Sequence, residues 1–124
     1  MTQPLALIFY EKLLPGTQLV NRMQDLGYRV TTATNYDTLL ASAASEKPML
    51  VLADLGARRT RVVDAISQLR KNPDTSHLPV IAFVEEKEAA LQSAARAAGA
   101  TLVASDTAIL NHLEQFLEQA LRLD

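Results

Sequence analysis

Acidic residues that close apolar runs are the side chains of this sequence best placed to do chemistry. Residues 49–53, Met-Leu-Val-Leu-Ala, are uninterrupted apolar, with Pro48 before them and Gly56 after, and Asp54 stands at their end. A run that short between turn residues reads as a strand buried on both faces. Such strands belong to parallel sheets covered by helices, and in open parallel sheets ligands gather at the carboxyl ends of the strands. Asp54 sits at that edge. Tyr10 and Glu11, Val84 and Glu85, and Ser105 and Asp106 end three further runs. The acids also have plainer roles: Asp54 as a turn residue, Glu11 as a solvated first-turn acid, Asp106 as the N-cap of a helix.

Other candidates are weaker. His77 and His112 have no partner at ligand spacing, which argues against a metal site. The basic cluster Arg58-Arg59-Thr60-Arg61 is ordinarily solvated surface, although Arg58 or Arg59 could meet an anion or an acidic partner beside Asp54. No G-x-G-x-x-G or P-loop sequence follows the first run, so dinucleotide and P-loop chemistry are set aside.

The elements that must position these residues alternate. Strands are expected over 5–10, 28–34, 49–53, 79–84 and 100–104. After the first, Pro15 suits a helix first turn, and Leu19, Val20, Met23 and Leu26 recur at helical spacing up to Gly27. Thr34 or Asn35 caps a helix to about Ser45. A third helix over 60–71 carries Val62, Val63, Ile66 and Leu69 on one face and stops at Asn72-Pro73. Residues 86–98 are alanine-rich and helix-prone, with Glu85-Glu86-Lys87-Glu88 as a favourably charged start. Ser105 or Asp106 caps a last helix with Ile109, Leu110, Leu113, Phe116, Leu117 and Leu121 as one stripe. Five strand–helix units in strict alternation give an α/β fold: a doubly wound, flavodoxin-like, three-layer sandwich around a parallel five-stranded sheet. Right-handed crossovers and the polar second strand favour the order 2-1-3-4-5.

Composition sets the outer limits. At 124 residues the chain suits one domain, 1–124. A net charge of −2 gives no global basic field for nucleic acid or an anionic membrane. The absence of cysteine removes disulfides, thiolate metal sites and thiol nucleophiles, and fits a cytoplasmic location. The apolar run near the N-terminus lacks a basic flank and is too short for a signal or membrane segment.

In order along the chain, Leu26-Gly27-Tyr28, the strand leading to Asp54, Asn72-Pro73 with Leu78-Pro79-Val80-Ile81, and Gly99-Ala100 resemble the receiver domains of two-component response regulators, the CheY-like family. The resemblance spans nearly the whole chain. It implies that Asp54 is the phosphoacceptor position, that Mg²⁺ would be held by Glu11, Asp54 and the Gly56 carbonyl, and that a protein partner would dock on the fourth helix, fifth strand and fifth helix, about residues 86–123. Such a partner would be a histidine kinase, an output domain or another receiver, a homodimer included.

Against that pattern the chemistry is broken. One of two acids after the first strand is Tyr10. The hydroxyl residue at the end of strand four is Val84, which has no donor. The lysine after strand five is Asp106, and its aromatic switch position is Val103. A phosphoryl group carries nearly two negative charges. Asp106 in place of lysine would repel a unit charge about 5 Å away by roughly 3 kcal/mol at an effective dielectric near 20. Glu11, Asp54 and Asp106 are expected to lie together as a mutually repelling, uncompensated cluster, with Mg²⁺ weak and no required cofactor. The expectation is a non-enzymatic, degenerate receiver acting through protein contacts. Two alternatives are a functional receiver phosphorylated on Asp54 and an α/β module that binds a small ligand at the same edge.

Overall fold

Each apolar run pairs with a neighbour, and the segments between them coil. The computed structural model describes residues 3–11, 13–56 and 61–122. In chain order the elements are β1 (Leu5–Phe9), α1 (Leu13–Asp25), β2 (Arg29–Ala33), α2 (Tyr36–Ser45), β3 (Leu50–Asp54), α3 (Val62–Lys71), β4 (Val80–Val84), α4 (Ala89–Ala98), β5 (Leu102–Ser105), α5 (Asp106–Asn111) and α6 (Leu113–Arg122). The strands form one parallel sheet in the order β2-β1-β3-β4-β5. This is the flavodoxin-like order expected from the sequence.

Alternation along the strands divides the core into two layers. Leu7, Phe9, Val51, Ala53, Val80, Ala82 and Val84 face α2, α3 and α4. Ala6, Ile8, Leu50, Leu52, Ile81 and Phe83 face α1, α5 and α6. β3 is buried along its full length, as a central strand covered on both sides must be, whereas edge strand β2 is largely open. Asn35 caps α2 by accepting from the Thr38 N–H at 2.8 Å. Gly27 and Gly99 take φ of 93° and 113°, the left-handed turn that ends α1 and α4. Among the described residues no helix is long and apolar enough to cross a membrane.

Several local expectations are corrected. Glu85-Glu86-Lys87-Glu88 is a turn closed by Glu88 N–H to Glu85 O at 3.0 Å, and α4 starts only at Ala89. Asp106 is the first residue of α5 and not its cap; Ser105 Oγ accepts from the Ala108 N–H at 3.1 Å. The last helix is two helices, parted at His112 with φ −128° and ψ 31°. Leu26 lies beyond α1 and is 38% exposed, and Met49 lies before β3 and is 47% exposed. Thr60, placed at the start of the third helix, is outside the described residues.

Candidate functional site

Strand register brings the candidate residues to one edge. Phe9, Ala53, Ala82 and Val103 share a rung; Asp54, Phe83 and Ala104 share the next; Val84 and Ser105 follow. Tyr10 and Glu11 continue β1 past Phe9, and Asp106 continues β5 past Ser105. The partly buried Val103 therefore sits one rung below Asp54, in the layer of α2, α3 and α4.

Asp54 is 4% exposed, a buried carboxylate in an otherwise apolar strand. A buried charge needs hydrogen bonds, and Asp54 Oδ1 accepts from the Gly56 N–H at 2.8 Å. The same Gly56 lies between Asp54 and Val84: a Cβ built on it would stand 3.2 Å from Asp54 Oδ1 and 3.9 Å from Val84 Cγ2. Val84 is 2% exposed and belongs to the apolar core, so its side chain packs and offers no donor to this corner.

Tyr10 has become part of the packing. Its N–H donates to Ala33 O at 3.1 Å, and its ring covers Gly16 so closely that a Cβ there would collide with it. Glu11 and Asp106 are partly buried, each with one carboxylate oxygen (Oε2 and Oδ1) shielded from solvent. Glu11, Asp54 and Asp106 each interact with neighbouring groups. Asp106 also lines a cleft of about 540 Å³ with Glu85, Glu86, Lys87 and Thr107, where Lys87 Nζ pairs with Glu85 Oε2 at 3.4 Å. Arg58 and Arg59 lie outside the described residues.

The donor set does not match a tight Mg²⁺ site. Mg²⁺ asks for near-octahedral oxygen geometry. Here Tyr10 stands where the resemblance implies a second acid, and among the described residues no three His, Cys, Asp or Glu side chains are grouped to hold one ion.

One feature of the opposite edge escaped the sequence reading. The Arg70 guanidinium donates to Gly99 O at 2.8 Å, Ser76 O at 2.9 Å, Leu78 O at 2.6 Å and Thr101 Oγ1 at 3.1 Å. Thr101 Oγ1 also accepts from the Val80 N–H at 3.0 Å. The clamp ties α3 to the end of α4 and the entry of β5, which locks the lower end of that surface. Burial pushes the Arg70 pKa down, an expense offset by charge-assisted bonds. Gly16 carried a signal that could have exposed its contact with Tyr10, since a glycine within a helical pattern marks close approach. Arg70 carried none.

No family model matches the chain, and no match is found among curated protein sequences. Solved structures do match. The receiver domain of NtrX from Brucella abortus aligns at TM-score 0.85 with 20% identity, over 96% of this chain and 99% of that one. Chemotaxis protein CheY4 of Vibrio cholerae gives 0.85 with 18% identity, over 97% and 100%. The receiver domain of sensor histidine kinase PA1611 from Pseudomonas aeruginosa PAO1, with a magnesium ion coordinated in its active site cleft, gives 0.87 with 17% identity, over 98% and 99%. The chain has the receiver-domain fold.

Proposed function

We propose that this chain is a receiver-like module of two-component signalling that has lost phosphotransfer chemistry and works by protein contact. The observation that carries the reading is the corner around Asp54. The carboxylate ends the central strand at the position the resemblance assigns to the acceptor, its Oδ1 is bonded to Gly56, and the neighbouring strand ends in the packed, donorless Val84. Phosphoryl transfer is almost entirely positioning and electrostatic stabilisation. A site with Val84 and Asp106 where a hydroxyl and a cation are needed supplies little of either.

In this reading the module turns over no substrate, resides in the cytoplasm, and presents α4, β5 and α5 to a histidine kinase, an output domain or another receiver. α4 suits a close partner: Ala89, Ala90, Ser93 and Ala97 are exposed, and Ala95 alone of its residues is buried. Mg²⁺ binds weakly or not at all. The competing reading, a phosphorylatable receiver, draws on the fold's likeness to the magnesium-bound PA1611 receiver domain. Incubation with acetyl phosphate and Mg²⁺, read by intact-protein mass spectrometry, separates the two.

A further inference from the structure

α4 lies on the sheet with little of its own to hold it there. Each of the other helices buries a large apolar side chain: Leu19 in α1, Leu39 in α2, Ile66 in α3, Ile109 in α5 and Leu117 in α6. In α4, Ala-Ala-Leu-Gln-Ser-Ala-Ala-Arg-Ala-Ala, the buried residue is Ala95, and Leu91 is only partly buried. Helices find their place by setting ridges of side chains into grooves, and methyl groups make shallow ridges with few contacts each. The start of α4 is loosely held as well: Glu88 makes no side-chain cap bond, and Gln92 Nε2 reaches Glu86 O only at 3.4 Å.

Its other end is built around one side chain. Beyond the left-handed Gly99, the Ala100 N–H closes α4 on Ala95 O at 3.0 Å, and the Thr101 N–H joins the sheet at Val80 O, 2.8 Å away. Arg70, reaching from α3, donates to Gly99 O and Thr101 Oγ1 on this segment and to Ser76 O and Leu78 O on the segment that enters β4. Its stem lies against Gly99 so closely that a Cβ there would stand 2.7 Å from Arg70 Cγ. A guanidinium is a rigid planar fork, so two segments that both bond to it have their separation set by it.

We infer that Arg70 is the positioning residue of the α4 surface: from α3 it fixes where the alanine-rich helix ends, and with it the single position in which α4 lies on the sheet. Apolar packing keeps α4 on the sheet, whereas Arg70 selects its register. The α4 surface is therefore set before any partner arrives, and it loses that setting when the fork is lost. The inference gives the docking role proposed for α4 a structural basis. It is read in the isolated protein, so its failure would not bear on that role or on the chemistry of Asp54.

Backbone amide nuclear magnetic resonance of wild type, Arg70→Lys and Arg70→Met tests it. In wild type the amides of α4 have order parameters of about 0.85, the rigid-backbone value, and show no relaxation dispersion, the signature of microsecond–millisecond exchange. In Arg70→Met, dispersion and shift changes reach Ala89 to Gln92, the end of α4 far from the clamp, while amides of α1, β1 and β3 keep their wild-type values. Arg70→Lys keeps the charge and much of the stem without the planar fork, and shows the same changes at smaller amplitude; it decides the question where Arg70→Met does not fold. A contribution to global stability alone would leave the native shifts of Ala89 to Gln92 in place, or spread exchange evenly over the whole sheet. Either pattern overturns the assignment, as does dispersion along α4 in wild type.

Discussion

The ring of Tyr10 occupies the space that a side chain at position 16 would need. Tyr10, which follows the last residue of β1, is part of the packing against α1. Gly16 in α1 is the counterpart that makes room for it.

Gly16→Ala should therefore destabilise the protein despite improving the helix. Propensity favours Ala over Gly by about 1 kcal/mol, whereas overpacking a closed site costs about 1–3 kcal/mol. The contact is with the near atoms of the ring and not its far end, so a net loss of up to about 2 kcal/mol is expected in urea unfolding. In Tyr10→Ala/Gly16→Ala the clash with the ring disappears and only the tight contact with the residue-10 Cβ at 3.0 Å remains, so the two effects should be non-additive by about 1 kcal/mol or more.

Arg70→Met should cost about 2–3 kcal/mol, because it keeps the stem and strips charge-assisted donors from Gly99, Ser76 and Leu78. Arg70→Lys should recover only part of this, since an ammonium cannot present the planar fork that reaches four acceptors. Urea titrations of the three proteins decide it. Equal stability of Lys and Arg at position 70 would contradict the clamp.

Alkaline stability should depend on Tyr28. Burial raises its phenol pKa above the usual value. The native state thus holds this proton more tightly than the unfolded chain. The contribution is complete below the unfolded pKa, near 10, and is lost as pH rises through the folded value. Tyr28→Phe removes that loss. Melting curves between pH 8 and 11 should show wild type falling faster than Tyr28→Phe above pH 10, with parallel behaviour below; parallel curves throughout would refute the linkage.

Much of the architecture was legible because apolar runs of strand length, separated by helical periodicity, leave few ways to fold. The chain from Met49 to Asp54 identified the central strand, and the polar β2 identified an edge. What stayed hidden depends on contacts remote in sequence. The break at His112 lies within a stripe, Ile109, Leu113 and Leu117, that keeps helical spacing across it; the structure shows there a bond from Arg22, in a different helix. The acceptors of Arg70 come from two loops that meet only in the folded chain. Glu85 to Glu88 has the composition of a helix start, but the route from β4 to α4 makes it a turn. At the candidate site, residue types at Tyr10, Val84 and Asp106 were plain from the sequence. The packing of Tyr10 and Val84, and the cleft that Asp106 lines with Glu85, Glu86 and Lys87, were not.

The central claim is that Asp54 keeps its place in the fold without its chemistry. Its most direct test is the mass of the intact protein after incubation with acetyl phosphate and Mg²⁺. An unchanged mass, identical to that of Asp54→Asn treated in parallel, is the result predicted from Val84 and Asp106. A stoichiometric phosphoryl gain in wild type that is absent from Asp54→Asn would contradict it.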